Sequence, residues 1–153
     1  MPKVSDVTLF FQSEQKTLSI RTRTTMAGLH DVIVDSYSRI TAYLAQLNVW
    51  MSDAPFVAYH GMNEAELDVE IGFQVAQDLP GQGDLQPSVI APGRAVVSMY
   101  RGAYSELEPL YEEMAAYIVE NRLEAENMVY EYYYNGSNFP ESEYLTKIVM
   151  RVK

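Results

Sequence analysis

The 153-residue chain contains no cysteine. It therefore forms no disulfide, offers no thiolate nucleophile and cannot build a cysteine-based zinc or iron–sulfur site. At this length a buried core needs no such staples. Basic residues are also scarce: 11 Lys and Arg against 21 Asp and Glu leave a net charge of −10. A nucleic-acid surface held by counterion release needs clustered cations, so direct nucleic-acid binding is not expected. No run approaches the ~18 apolar residues of a membrane span, and MPKVSDVTLFF has neither an apolar core nor a cleavage signal of a secretory leader. The expectation is a soluble, cytoplasmic protein with no membrane contact and no cofactor. Histidine occurs only at His30 and His60, neither with a second ligand at metal spacing, so no metal site is expected. Tyrosine, by contrast, is abundant: 12 residues beside one Trp and 5 Phe. Such amphipathic rings either fill a core or line a pocket.

The chain repeats itself. Gly28 aligns with Gly102, Tyr37 with Tyr111, Ala42 with Ala116, Tyr43 with Tyr117, Phe56 with Tyr130 and Tyr59 with Tyr133, all at a shift of 74. Beyond these the shift is 77, because the loop His60 to Ala65 is shorter than Tyr134 to Ser142. Glu66 to Val75 then lies over Glu143 to Val152, with Ile71 on Ile148. Each half reads strand, helix, strand, strand. Leu18 to Met26 alternates as a strand, Ile20 and Met26 opposite Arg21 and Arg23. Ile33, Tyr37, Ile40, Leu44 and Leu47 mark one stripe of a helix over 31–48, with Asp31 as N-cap candidate. A second helix runs to about Arg122 from a capping box of Ser105 and Glu108, with Pro109 in its first turn. The closing strands put Val69, Ile71, Phe73 and Val75 on a dry face opposite Asp68, Glu70 and Gln74, then Ile148, Met150 and Val152 opposite Lys147 and Arg151.

The expected fold is α+β: duplicated strand-helix-strand-strand units with pseudo-twofold symmetry, an antiparallel sheet, two main helices and a central groove. It is one domain of two repeats, about 5–78 and 90–153, joined by a Gly/Pro-rich linker over 79–93. Gly81 to Asp84 reads as a turn, since GQGD lacks the strand-to-helix setting of a dinucleotide fingerprint. Asn135-Gly136-Ser137 matches a glycosylation acceptor but is better explained as a turn.

One charge stands out. In Val129-Tyr130-Glu131-Tyr132-Tyr133-Tyr134 both faces are apolar or aromatic, and Glu131 replaces Val57 of the first half. With period two it shares a face with Val129 and Tyr133. Two readings are open. Glu131 faces water and protects an aromatic strand from aggregation, or it is buried and needs a cation, a proton or hydrogen bonds to offset its desolvation. Among tyrosines a lipophilic cation suits the second reading, each ring face adding about 0.5 to 2 kcal/mol. Tyr37, Tyr59, Tyr100, Tyr104 and Trp50 sit at element ends that either border a groove or fill the core. Glu106, Glu108, Glu112 and Glu113 form the solvated face of the second helix.

Val96 to Leu107, with Tyr100-Arg101-Gly102-Ala103-Tyr104 leading into the second helix, resembles a known pattern. So do Tyr130-Glu131-Tyr132-Tyr133, an Asn-containing loop with Pro140, and Tyr144 to Met150. The family they resemble is the GyrI-like domain, also the effector-binding domain of AraC-type and MerR-type multidrug-responsive regulators. The resemblance covers nearly the whole chain and is strongest from Arg94 to Val152. It implies a small-molecule groove with an acid at its base, falling on Glu131, and aromatic walls, carried here by Tyr133, Tyr104, Tyr59, Tyr37 and Trp50. The implied ligand is amphipathic and often cationic. The sequence shows no helix-turn-helix, so the expectation is a stand-alone, non-catalytic binding protein that sequesters drugs or reports them to a separate regulator. Two alternatives remain. One is a hydrolase of cyclopropane-containing electrophiles using Glu131 with Tyr100 or Tyr104. The other is an acidic protein inhibitor of DNA gyrase.

Overall fold

The computed structural model describes residues 3–61, 63, 65–136 and 138–153. In chain order the elements are β1 (Thr8–Gln12), β2 (Gln15–Thr24), α1 (Leu29–Gln46), β3 (Phe56–His60), β4 (Leu67–Gln74), β5 (Leu85–Ile90), β6 (Gly93–Arg101), α2 (Glu108–Glu120), β7 (Ala125–Tyr133) and β8 (Leu145–Val152). The chain folds as α+β, in two compact units: residues 13–92, and residues 1–12 with 93–153.

In the unit of residues 13–92 four antiparallel strands run in the order β3-β4-β2-β5. Leu18 and Ile20 of β2, Phe73 of β4 and Val75 just beyond it pack under Ile40, Tyr43 and Leu44 of α1. The alternation read from the sequence thus meets the helical stripe, as burial of both apolar surfaces requires. Three boundaries differ from expectation. Strand β2 begins at Gln15 and ends at Thr24, leaving Met26 outside it and exposed. A turn at Thr25–Gly28 starts α1 at Leu29, so Asp31 lies inside the first turn and is not the N-cap; Gly28 holds that position without a side-chain bond. The supposed linker contains β5, which pairs with β2 from Gln15↔Ile90 to Ile20↔Leu85. Composition concealed this strand because an edge tolerates the missing N–H of Pro87.

In the other unit the order is β1-β6-β8-β7, again antiparallel. Val96 and Tyr100 of β6, Val129 of β7, and Ile148, Met150 and Val152 of β8 face Leu110, Met114 and Ile118 of α2. The entry to α2 also differs from expectation. Ala103 is extended, a single 3-10 turn spans Tyr104–Glu106, and Leu107 is the N-cap with no side-chain bond. The capping box of Ser105 and Glu108 therefore does not form; Glu106 and Leu107 donate instead to the carbonyls of Ala103 and Tyr104. Pro109 does sit in the first turn, where a missing N–H costs least.

The closing strands have a dry face, but their opposite face is not uniformly wet. Gln74 and Arg151 are both buried. Period-two patterning reports side-chain polarity and not what packs on a face, so it could not show this. Ser137 of the Asn-Gly-Ser match lies outside the described residues; Asn135 closes the turn by donating to the Glu143 carbonyl and accepting from the Leu145 N–H.

Candidate functional site

Glu131 is 9% exposed. It is opposite Ile148 in the β7–β8 pairing, on the side of the sheet where Val129 and Ile148 meet α2. A bulge at Asn127 (φ 60°) interrupts β7 before regular pairing resumes at Val129. A bulge of this kind sets which residues of a strand face which way. The reading that leaves Glu131 in water is excluded by this burial.

Both carboxylate oxygens are occupied by phenols. Tyr133 Oη donates to Oε1 at 2.7 Å, and Tyr111 Oη of α2 donates to Oε2. Burial pushes the Glu131 carboxyl above its ordinary value, and the two phenol donors oppose that push without cancelling it. The charge of this acid is consequently offset only in part by its partners.

Tyrosine rings continue outward from this acid. Tyr104, 43% exposed, meets Tyr133 edge-on at 5.3 Å between centroids and stacks on Tyr144 at 4.9 Å. The Tyr104 phenol is pushed up by burial, then by Tyr144 and by Glu131, so it stays a neutral hydroxyl. Tyr100 is 3% exposed and donates to Glu106 Oε2 at 3.3 Å. Its phenol is likewise raised, first by burial and then by Glu106. Gly102 holds φ at 149°, and a Cβ there would meet the Tyr100 ring at 2.8 Å, so this ring position depends on the glycine.

On the other face of β7, Tyr130 and Tyr132 stack at 6.3 Å, and the Lys147 ammonium sits 4.2 Å from the Tyr132 centroid. The remaining candidates from the sequence belong to the other unit. Tyr37 packs on Phe73 with centroids 5.4 Å apart. Tyr59 is opposite Val69 in β3–β4. Trp50 is 86% exposed and lines a cavity of ≈ 330 Å³ with Leu44, Val49 and Met51 past the end of α1.

His60 ends β3, and its Nε2 lies 3.1 Å from Glu70, which also accepts from Ser19 Oγ at 2.6 Å. Burial raises the Glu70 carboxyl, but the bonds from His60 and Ser19 outweigh it and hold the group below its usual value. The serine donates to the acid and not to the imidazole, so this is no nucleophilic triad. Among the described residues no cluster of His, Asp and Glu is arranged to hold a metal.

Sequence reasoning named Glu131, Tyr133 and Tyr104 and missed Tyr111 and Tyr144. Tyr111 was legible in principle: it is the repeat partner of Tyr37, itself named as a wall candidate. Its place in the buried stripe of α2 made it look like core.

No curated protein matches the chain. Solved structures do. The crystal structure of the EcmrR C-terminal domain has a TM-score of 0.78 at 20% identity, covering 98% of each chain. The chain spans 57% of EcmrR in its DNA complex, where the TM-score is 0.83 at 20% identity over 97% of the present chain. SAV2435 bound to tetraphenylphosphonium gives 0.64 at 14% identity over 97% of this chain and 94% of that one. A structure described as a hydrolase from Listeria innocua gives 0.71 at 14% identity over 100% and 94%. At these identities the likeness establishes the fold. A family model matches residues 6–153, essentially the whole chain, and on that match the chain belongs to the family of GyrI-like small molecule binding domains.

Proposed function

We propose that this protein binds lipophilic organic cations, with Glu131 as counter-charge and Tyr111, Tyr133 and Tyr104 as the surrounding rings. The observation that carries this reading is a buried carboxylate whose only described offsets are two phenols. Phenols can turn away and present their ring faces, whereas a lysine or arginine partner would compete with a cationic ligand for the same charge. A delocalised cation neutralises the acid at short range while needing little water, and each ring adds about 0.5 to 2 kcal/mol. The tetraphenylphosphonium bound by SAV2435, a protein of the same fold, is a ligand of this chemistry.

In the structure described, Tyr111 and Tyr133 close over the acid, so entry of a ligand requires at least one of them to rotate. The test is thermal unfolding with and without tetraphenylphosphonium. Wild type should gain stability with rising ligand according to RT ln(1 + [L]/Kd), and Glu131→Gln should gain much less. Equal gains in both proteins would remove Glu131 from the site.

A second reading, hydrolysis of an electrophile, is favoured by one observation: burial displaces the Glu131 carboxyl above its ordinary value, the direction a general acid requires. Tyr104 is then the hydroxyl candidate, since Tyr100 is engaged by Glu106. Incubation with an electrophilic cyclopropane should give product that Glu131→Gln does not; intact compound would exclude it.

A further inference from the structure

Two positions distinguish the strands of the two units. In one unit Val57 is opposite Ile71 and Tyr59 opposite Val69. In the other, the equivalent places hold Glu131 opposite Ile148 and Tyr133 opposite Thr146. Val57 and Val69 are both fully buried. A valine is thus replaced by a polar residue twice, at neighbouring positions on the face that meets α2. Thr146 lies diagonally from Glu131 across the β7–β8 pair, a separation of about 7 to 8 Å. It is also directly opposite Tyr100 on β6 and Tyr133 on β7.

Thr146 is 0% exposed, and its hydroxyl has no hydrogen-bond partner among the described residues. Threonine and valine have nearly the same shape, so packing does not call for the hydroxyl. Leaving it unpaired costs stability that valine would not. Thr17 has a buried hydroxyl in the same condition, so an unpaired threonine alone marks nothing. Only Thr146 is next to the acid and stands where the other repeat keeps valine.

We infer that Thr146 is the hydrogen-bonding handle of the site and selects cations that carry a hydroxyl or carbonyl on a short arm. This rests on the cation reading above and refines its ligand class. Rotation of Tyr133 to admit the cation uncovers the hydroxyl directly opposite it, and the arm of the ligand then pairs with Oγ1 while the charge stays at Glu131. Purely hydrocarbon cations gain nothing from this contact.

The experiment compares (3-hydroxypropyl)triphenylphosphonium with butyltriphenylphosphonium, which differ by a hydroxyl in place of a methyl. Each is titrated calorimetrically into wild type, Thr146→Val and Glu131→Gln. Wild type should favour the hydroxyl ligand, relative to Thr146→Val, by on the order of three- to tenfold, the range of one neutral hydrogen bond. Thr146→Val should unfold no earlier than wild type and bind the butyl ligand within about twofold of it, since no hydrogen bond to that ligand is lost. Glu131→Gln should weaken both ligands equally. Unchanged ligand preference in Thr146→Val, with Glu131→Gln still weakening both, would overturn the handle and leave the cation site standing. Unchanged binding in Glu131→Gln, or no binding to wild type, would overturn the cation reading and the handle with it.

Discussion

Glu131→Gln should make the unliganded protein more stable at neutral pH, and the gain should vanish in acid. Glu131 is 9% exposed and, when ionised, has two phenol donors. Burying a carboxylate costs several kcal/mol in practice, and hydrogen bonds to a charged group return about 1.5 to 3 kcal/mol each. Two such bonds return about 3 to 6 kcal/mol, which offsets most of that cost, and the upward displacement of the carboxyl from its ordinary 4.5 fixes the remainder as unfavourable, on the order of 1 to 3 kcal/mol. Because the folded-state value is the higher one, the folded state holds its proton more tightly. Stability is therefore fullest below about 4.5 and falls as pH rises toward the folded-state value. Glutamine mimics the protonated form and can still accept from one phenol while donating to the other. For a chain of this size 1 kcal/mol corresponds to about 2 to 4 °C in Tm. Differential scanning fluorimetry should give Glu131→Gln a Tm about 2 to 12 °C above wild type at pH 7.5, converging near pH 4. A gap that does not change with pH, or a mutant less stable at pH 7.5, would refute this account of the acid.

Other perturbations separate the parts of the site. Tyr111→Phe removes one donor and keeps the ring: stability at pH 7.5 should fall by about 1 to 3 kcal/mol, while tetraphenylphosphonium binds at least as tightly, and a tenfold loss of affinity would show that the phenol holds the ligand. Gly102→Ala forces a Cβ onto the Tyr100 ring at 2.8 Å from a φ of 149°, so it should lower Tm and detach Tyr100 from Glu106, visible as a changed near-ultraviolet tyrosine signal; an unchanged spectrum would contradict the contact. Met114→Ala opens a void at a fully buried position under α2 and should cost about 2 to 5 kcal/mol in chemical denaturation, with a loss below 1 kcal/mol counting against this packing.

The fold was readable where one face of an element buries against another. Ile40 and Leu44 on α1, and Met114 and Ile118 on α2, declare themselves by helical spacing, and the same residues belong to the two cores. Strand β5 was hidden because its Pro and polar residues suit an edge as well as a loop. Helix starts were misread because Ala103 and the 3-10 turn satisfy N–H groups that Ser105 was expected to cap. Of the site, Glu131 was legible as a charge among apolar neighbours. Its phenol partner on α2 was marked only by the repeat that pairs Tyr111 with Tyr37, because Tyr111 belongs equally to a buried stripe and only three-dimensional proximity distinguishes a ring that packs from one that donates. Thr146 was hidden for a similar reason, since one threonine in a strand is unremarkable until the register sets it beside the acid, at the place where the other unit has Val69.

The most direct test of the central claim is a crystal structure with tetraphenylphosphonium. The cation should lie beside the Glu131 carboxylate within about 6 Å of the Tyr133 and Tyr104 ring centroids, with Tyr111 or Tyr133 turned from the acid to admit it. A ligand bound elsewhere, with both phenols still on Glu131, would contradict the claim.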